Sequence, residues 1–110
     1  AYFGMPEGGY TAAVPLDVRT RVPYALAVAD LNQDGLVDIV VGNSQAPSVA
    51  LFNDGTGRHF ASVPFGDDRG TVYGFAIGDV NGDGLPDIAA ARSEGPNVVY
   101  LAEPAAAKGR

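Results

Sequence analysis

Short apolar runs of five or six residues alternate with clusters of Gly, Pro, Asn and Asp along the chain. Tyr24–Ala29, Asp38–Gly42, Ser48–Phe52 and Phe60–Phe65 have the length and punctuation of β-strands, as do Tyr73–Gly78, Asp87–Ala91 and Asn97–Leu101. Two residual runs, Tyr2–Phe3 and Tyr10–Val14, precede them. Several runs lack a clean apolar–polar alternation, which predicts strands buried on both faces. No window carries a helical stripe, and Ala105–Lys108 reads as a tail. The expected class is all-β.

The pattern repeats. Shifting the sequence by 49 residues lays Tyr24–Val49 over Tyr73–Val98 with 12 of 26 pairs identical, among them Asp30/Asp79, Asn32/Asn81, Asp34/Asp83, Gly35/Gly84 and Asp38/Asp87. A fainter copy flanks these two: Tyr2-Phe3 stands before Gly8-Gly9-Tyr10 as Leu51-Phe52 stands before Gly57 and Phe60. Four short antiparallel strands in about 50 residues is the size of a propeller blade. The expected organisation is trailing strands of a partial blade over 1–22, a complete blade over 23–72, and a blade without its last strand, followed by a tail, over 73–110.

Each unit holds one chemical motif, Asp30-Leu31-Asn32-Gln33-Asp34-Gly35-Leu36-Val37-Asp38 and Asp79-Val80-Asn81-Gly82-Asp83-Gly84-Leu85-Pro86-Asp87. Oxygen side chains recur at positions 1, 3, 5 and 9, with Gly at position 6, where a positive φ closes the turn. Hard Ca²⁺ takes about 6–8 oxygen ligands from a flexible cage, whereas Mg²⁺ prefers a rigid octahedron. Asp30, Asn32, Asp34 and Asp38, with the carbonyl of Leu36, are therefore candidate ligands for one Ca²⁺. Asp79, Asn81, Asp83, Asp87 and the carbonyl of Leu85 are candidates for a second. A pair of polar Asx turns is the bland alternative, and two copies in equal register weigh against it. An EF-hand loop begins the same way but needs a Glu at position 12, where Val41 and Ala90 stand.

These residues resemble the FG-GAP/VCBS-type repeat of integrin-α-like and fungal-lectin-like β-propellers. The likeness rests on the aromatic-small pairs Tyr24-Ala25 and Tyr73-Gly74, the Asp-x-Asn-x-Asp-Gly-x-x-Asp loops, and Asn53-Asp54-Gly55-Thr56-Gly57 before Phe60. It covers roughly residues 22–103 and, weakly, 1–21. Neither aromatic-small position holds a literal Phe-Gly pair, and Gly42-Asn43-Ser44 and Ala91-Arg92-Ser93 replace Gly-Ala-Pro, which places the chain nearer the lectin-like or bacterial branch than the integrins. The resemblance implies four-stranded blades around a channel, with one Ca²⁺ in the loop joining the first two strands of each.

Arrays of this kind need about three or more units to bury their faces. The chain is therefore expected to be part of a larger propeller or to assemble with sister copies. In the second case Tyr10–Val14 of one copy completes the last blade of its neighbour, and three or four chains close a ring.

Composition narrows the function. Acidic residues outnumber basic ones 13 to 7, giving a net charge of −6, which argues against nucleic acid. Six of the 13 acids sit in the two loops, so the acidity is mostly ligand charge. No run approaches the ~18 apolar residues of a membrane span, and none reads as a charged-then-apolar leader. There is no Cys. His59 reads as a surface residue, Asp67-Asp68-Arg69-Gly70 as a solvated turn, and Arg58 and Arg92 as solubilising cations. Tyr24, Tyr73, Phe75 and Tyr100 read as core. No Ser-His-Asp set or P-loop stands apart from the loops. The expected function is a non-enzymatic, calcium-stabilised recognition module, extracellular, with carbohydrate or an extracellular protein as partner. A fragment of a polysaccharide lyase or hydrolase, and a pure self-assembling scaffold, are the alternatives.

Overall fold

The computed structural model describes residues 1–13, 15–16 and 22–103, so Val14 and the tail Ala105–Lys108 lie outside the described residues. Among the described residues seven strands form: β1 (Pro23–Ala29), β2 (Asp38–Asn43), β3 (Ser48–Asn53), β4 (Phe60–Phe65), β5 (Val72–Gly78), β6 (Asp87–Arg92) and β7 (Val98–Tyr100). They make two antiparallel sheets in sequence order, β1-β2-β3-β4 and β5-β6-β7. The class is all-β, and among the described residues no helix is long and apolar enough to cross a membrane.

The 49-residue repeat is carried into the hydrogen-bond register. Val28 pairs with Ile39 and Ile39 with Leu51, just as Ile77 pairs with Ile88 and Ile88 with Tyr100. Even the irregularity recurs. Pro23 and Ala25 face the adjacent residues Asn43 and Gly42, and Val72 and Gly74 face Arg92 and Ala91, which leaves Tyr24 and Tyr73 as the extra residues of matching bulges.

At the N-terminus the structure differs from expectation. Tyr2–Phe3 and Tyr10 join no sheet; Gly4 and Tyr10 instead pair in an isolated antiparallel bridge, beside which Thr11 N–H donates to the Phe3 carbonyl (2.8 Å). Gly8 and Gly9 both hold positive φ in the turn between them, leaving too little extended chain for a longer ladder.

The two sheets pack face to face. Ala25 of the first meets Val72 and Ala90 of the second, with Phe75, Val98 and Tyr100 packed around them. Further from β1, Ala50, Phe52 and Phe65 stand opposite Ile88 and Tyr100, and the Phe65 and Tyr100 rings meet edge-on at 5.0 Å. The connection between the sheets is stitched by backbone: Gln45 N–H donates to the Gly70 carbonyl (2.7 Å) and Ser93 N–H to that of Thr71 (3.0 Å). Both acidic loops follow the first strand of their sheet, so this packing sets them side by side.

Candidate functional site

Each acidic loop is built around its first and last carboxylate. In the first, Asp30 accepts the N–H groups of Asp34 (3.2 Å, Oδ1) and Gly35 (2.7 Å, Oδ2). In the second, Asp79 accepts those of Gly82 (2.8 Å) and Asp83 (3.1 Å) on Oδ1 and of Gly84 (2.7 Å) on Oδ2. These bonds curl the chain over its own aspartate, and the curl needs left-handed backbone. Gly35 and Gly84 adopt φ of 87° and 86°, and Gln33 is held at 60° where the second loop has Gly82.

Asp38 and Asp87 close the loops from below and are buried. Asp38 Oδ2 accepts Leu31 N–H (2.9 Å) and Oδ1 accepts Asn53 N–H from the end of β3 (2.9 Å). Asp87 repeats this with Val80 (2.9 Å) and Ala102 (2.8 Å). One carboxylate therefore ties the start of its loop, the start of the second strand and the residue at or beyond the end of the third. A buried carboxylate with four lone-pair directions can accept these bonds and still offer an oxygen lone pair upward.

In each loop the three aspartates bring one carboxylate oxygen apiece to within 4.8 Å of one another: Asp30, Asp34 and Asp38, and Asp79, Asp83 and Asp87. Two oxygens on one Ca²⁺, each at about 2.3–2.6 Å, lie no more than about 5 Å apart, so the donor set fits a single calcium ion. Three like charges at this spacing repel without a cation. The Gly84 N–H above all, with those of Asp83 and Gly82, holds the Asp79 carboxyl below its ordinary 3.8 despite the opposing effect of desolvation. Asn32 and Asn81 sit exposed on the same turns, and Leu36 and Leu85 lie half-buried, their N–H groups on Asp34 (2.9 Å) and Asp83 (3.0 Å).

Sequence reasoning missed two supports. Asn53 Nδ2 donates to the Val37 carbonyl (2.9 Å) while its Oδ1 accepts Gly55 and Gly57 N–H groups, so it braces the first loop from the β3–β4 turn. The second unit has Ala102 at that position, and the repeat alignment therefore gave no signal. Gln33 reaches across from the first loop to donate to the Gly84 carbonyl of the second (2.7 Å).

Three other expectations are corrected. Tyr24 and Tyr73 are not core: they are 58% and 64% exposed, because a bulge residue turns out of the pleat, and their rings meet edge-on at 5.9 Å. Phe75 and Tyr100 do pack against the core. Arg92 is no free solubilising cation; its guanidinium is almost buried, paired with Asp67 at 2.5 Å and donating through Nε to the Pro96 carbonyl (2.8 Å). That pairing also anchors the 67–70 turn and, as the largest cause, holds the Asp67 carboxyl below its ordinary value. Arg58 lies 4.4 Å over the Phe3 ring.

Compared with known families, residues 30–102 match the model described as an FG-GAP-like repeat. No curated protein and no solved structure gives a significant match.

Proposed function

This chain belongs to the FG-GAP-like repeat family, and from that premise we propose that it is a calcium-stabilised, β-propeller-type recognition module. The observation that carries the reading is the pair of three-carboxylate clusters, 49 residues apart and built by the same backbone bonds. One Ca²⁺ per loop is held by Asp30, Asn32, Asp34, Asp38 and the Leu36 carbonyl, and by Asp79, Asn81, Asp83, Asp87 and the Leu85 carbonyl. The ion is structural. It neutralises the clustered charge and fixes the angle between the first two strands of each blade. The blades on this reading are 23–72 and 73–110, with 1–22 belonging to a preceding one.

The role is binding rather than catalysis. Backbone donors that depress a carboxyl pKa, as at Asp79, make a poor proton acceptor and a good cation ligand. Exposed loops of this kind suit the roughly millimolar calcium affinities of extracellular modules, which supports an extracellular setting. The exposed Tyr24–Tyr73 pair offers an apolar, hydroxyl-tipped platform to a sugar face, favouring carbohydrate over an extracellular protein as ligand. Sister copies closing a ring of three or four chains are the further partners the reading carries.

Isothermal titration with CaCl₂ tests it: two ions per chain are expected, one in Asp83→Asn, and weaker uptake of Mg²⁺. Absence of calcium uptake at millimolar concentration contradicts it. Loss of glycan-array signal in Tyr73→Ala, with calcium uptake intact, is the expected sign of the carbohydrate role.

A further inference from the structure

The two sheets use opposite faces at their contact, and the repeat makes the two unused faces a matching pair. On the first sheet, Ala25, Val40, Gly42 and Ala50 face the second and are buried, Val40 completely. Their equivalents 49 residues on are Gly74, Ala89, Ala91 and Val99. These line an open trough of about 430 Å³ on the far side of the second sheet, where Val99 is 51% exposed. The other face inverts the same way. Phe75 packs into the contact between the sheets, while its equivalent Leu26 is 64% exposed, and Val28 beside it is 65% exposed. At these positions what is covered in one repeat is open in the other, whereas Leu51, the equivalent of Tyr100, is buried within its own sheet.

The volumes match as well. Inside the chain, Val72 and Phe75 press so closely on Gly42 that a Cβ there would stand 2.7 Å from Val72 Cγ1 and 3.0 Å from Phe75 Cε2. Across the open faces these three positions are held by Pro23, Leu26 and Ala91. The face gains a methyl at Ala91 where the side chain that presses on it shrinks from Phe to Leu. Val40 and Ala90 within the chain likewise become Ala89 and Val41, the same two side chains on exchanged sides. Well-packed contacts tolerate volume-conserving exchanges and little else.

We propose that a second copy of this chain docks head to tail on the first, seating Pro23, Leu26 and Val28 of one copy in the Gly74–Ala91–Val99 trough of the next. The contact repeats the internal one between the two sheets. It is heterologous, so repetition closes a ring or extends a filament rather than stopping at a two-fold dimer. The inference rests on the propeller-type reading for closure into a ring, but not on calcium.

Light scattering after size exclusion, with calcium and with EDTA, tests it on the chain and two variants, Leu26→Arg and Ala91→Arg. The chain itself is expected at three or four times the monomer mass, and each variant alone at the monomer mass. An equimolar mixture is expected at twice that mass, because each variant retains the one face its partner lacks. A monomeric parent chain, a variant that keeps the parent mass, or a mixture that stays monomeric overturns the proposal. Circular dichroism checks the sheet content of each variant; if either is unfolded, Val28→Lys and Ala76→Lys replace them, both sites being exposed. Two bound Ca²⁺ on a monomer defeats the docking alone, and the mass pattern without calcium uptake defeats the calcium reading alone.

Discussion

Asp38 and Asp34 share a loop and a charge, yet the structure gives them different work. Asp38 holds two backbone N–H groups in a buried position, whereas exposed Asp34 holds one. Asp38→Asn turns an N–H toward a donor and leaves it unpaired, so it should cost about 2–4 kcal/mol even in EDTA. Asp34→Asn keeps an acceptor for Leu36 and should change stability in EDTA by no more than about 0.5 kcal/mol, while removing calcium uptake by its loop. Urea unfolding of both variants, with and without the ion, measures the difference. The motif spacing marked both residues alike, because position 9 offers an oxygen whether it serves the ion or the backbone. Only the ends of β3 and β7, brought back by the sheet, separate the two roles. Arg92 was equally opaque in sequence: Asp67 lies 25 residues away and enters through the turn before β5. Its depressed carboxyl pKa contributes stability that is present above 3.8 and lost as pH falls through the lower folded value. In Arg92→Gln the NMR titration midpoint of Asp67 should rise back toward 3.8; no change would dissociate the shift from the ion pair.

Among the elements, the positions of β1 to β7 were legible to within a residue or so, since Gly, Pro and Asx clusters bound each run, whereas the N-terminal runs misled. The bulges were not. Tyr24 and Tyr73 look like the first apolar residue of a strand, and nothing in a linear pattern shows that each is the surplus residue of a register shift. Nor does the pattern show how closely β5 crosses β2 at Gly42, a position occupied by Ala in the other repeat. Gly42→Ala should therefore destabilise by about 1–3 kcal/mol through overpacking against Val72 and Phe75. Adding Phe75→Leu, which reproduces the Leu26–Ala91 combination, should recover part of that loss. Thermal melts of the two single variants and the double form a mutant cycle, and strictly additive effects would contradict the close approach.

For the whole molecule, the 49-residue shift predicted the architecture: register, bulge, loop and buried aspartate all recur at that spacing. Hidden from it was which face of each sheet is covered, because apolar residues repeated in sequence, such as Ala50 and Val99 or Leu26 and Phe75, occupy opposite sides of the contact. A pair of sheets with one shared interface and a small core is only modestly stable by itself, and each loop adds three clustered negative charges. On the proposed reading, binding of two ions to the folded state alone would contribute about 2.7 kcal/mol per site at a hundredfold excess over the dissociation constant. With 1 kcal/mol worth about 4–8 °C in a domain of this size, the effect is large. The most direct measurement is thus the thermal melt of the intact chain in saturating calcium against excess EDTA: the account predicts a midpoint higher by about 20 °C or more in calcium, and coincident melts would contradict it.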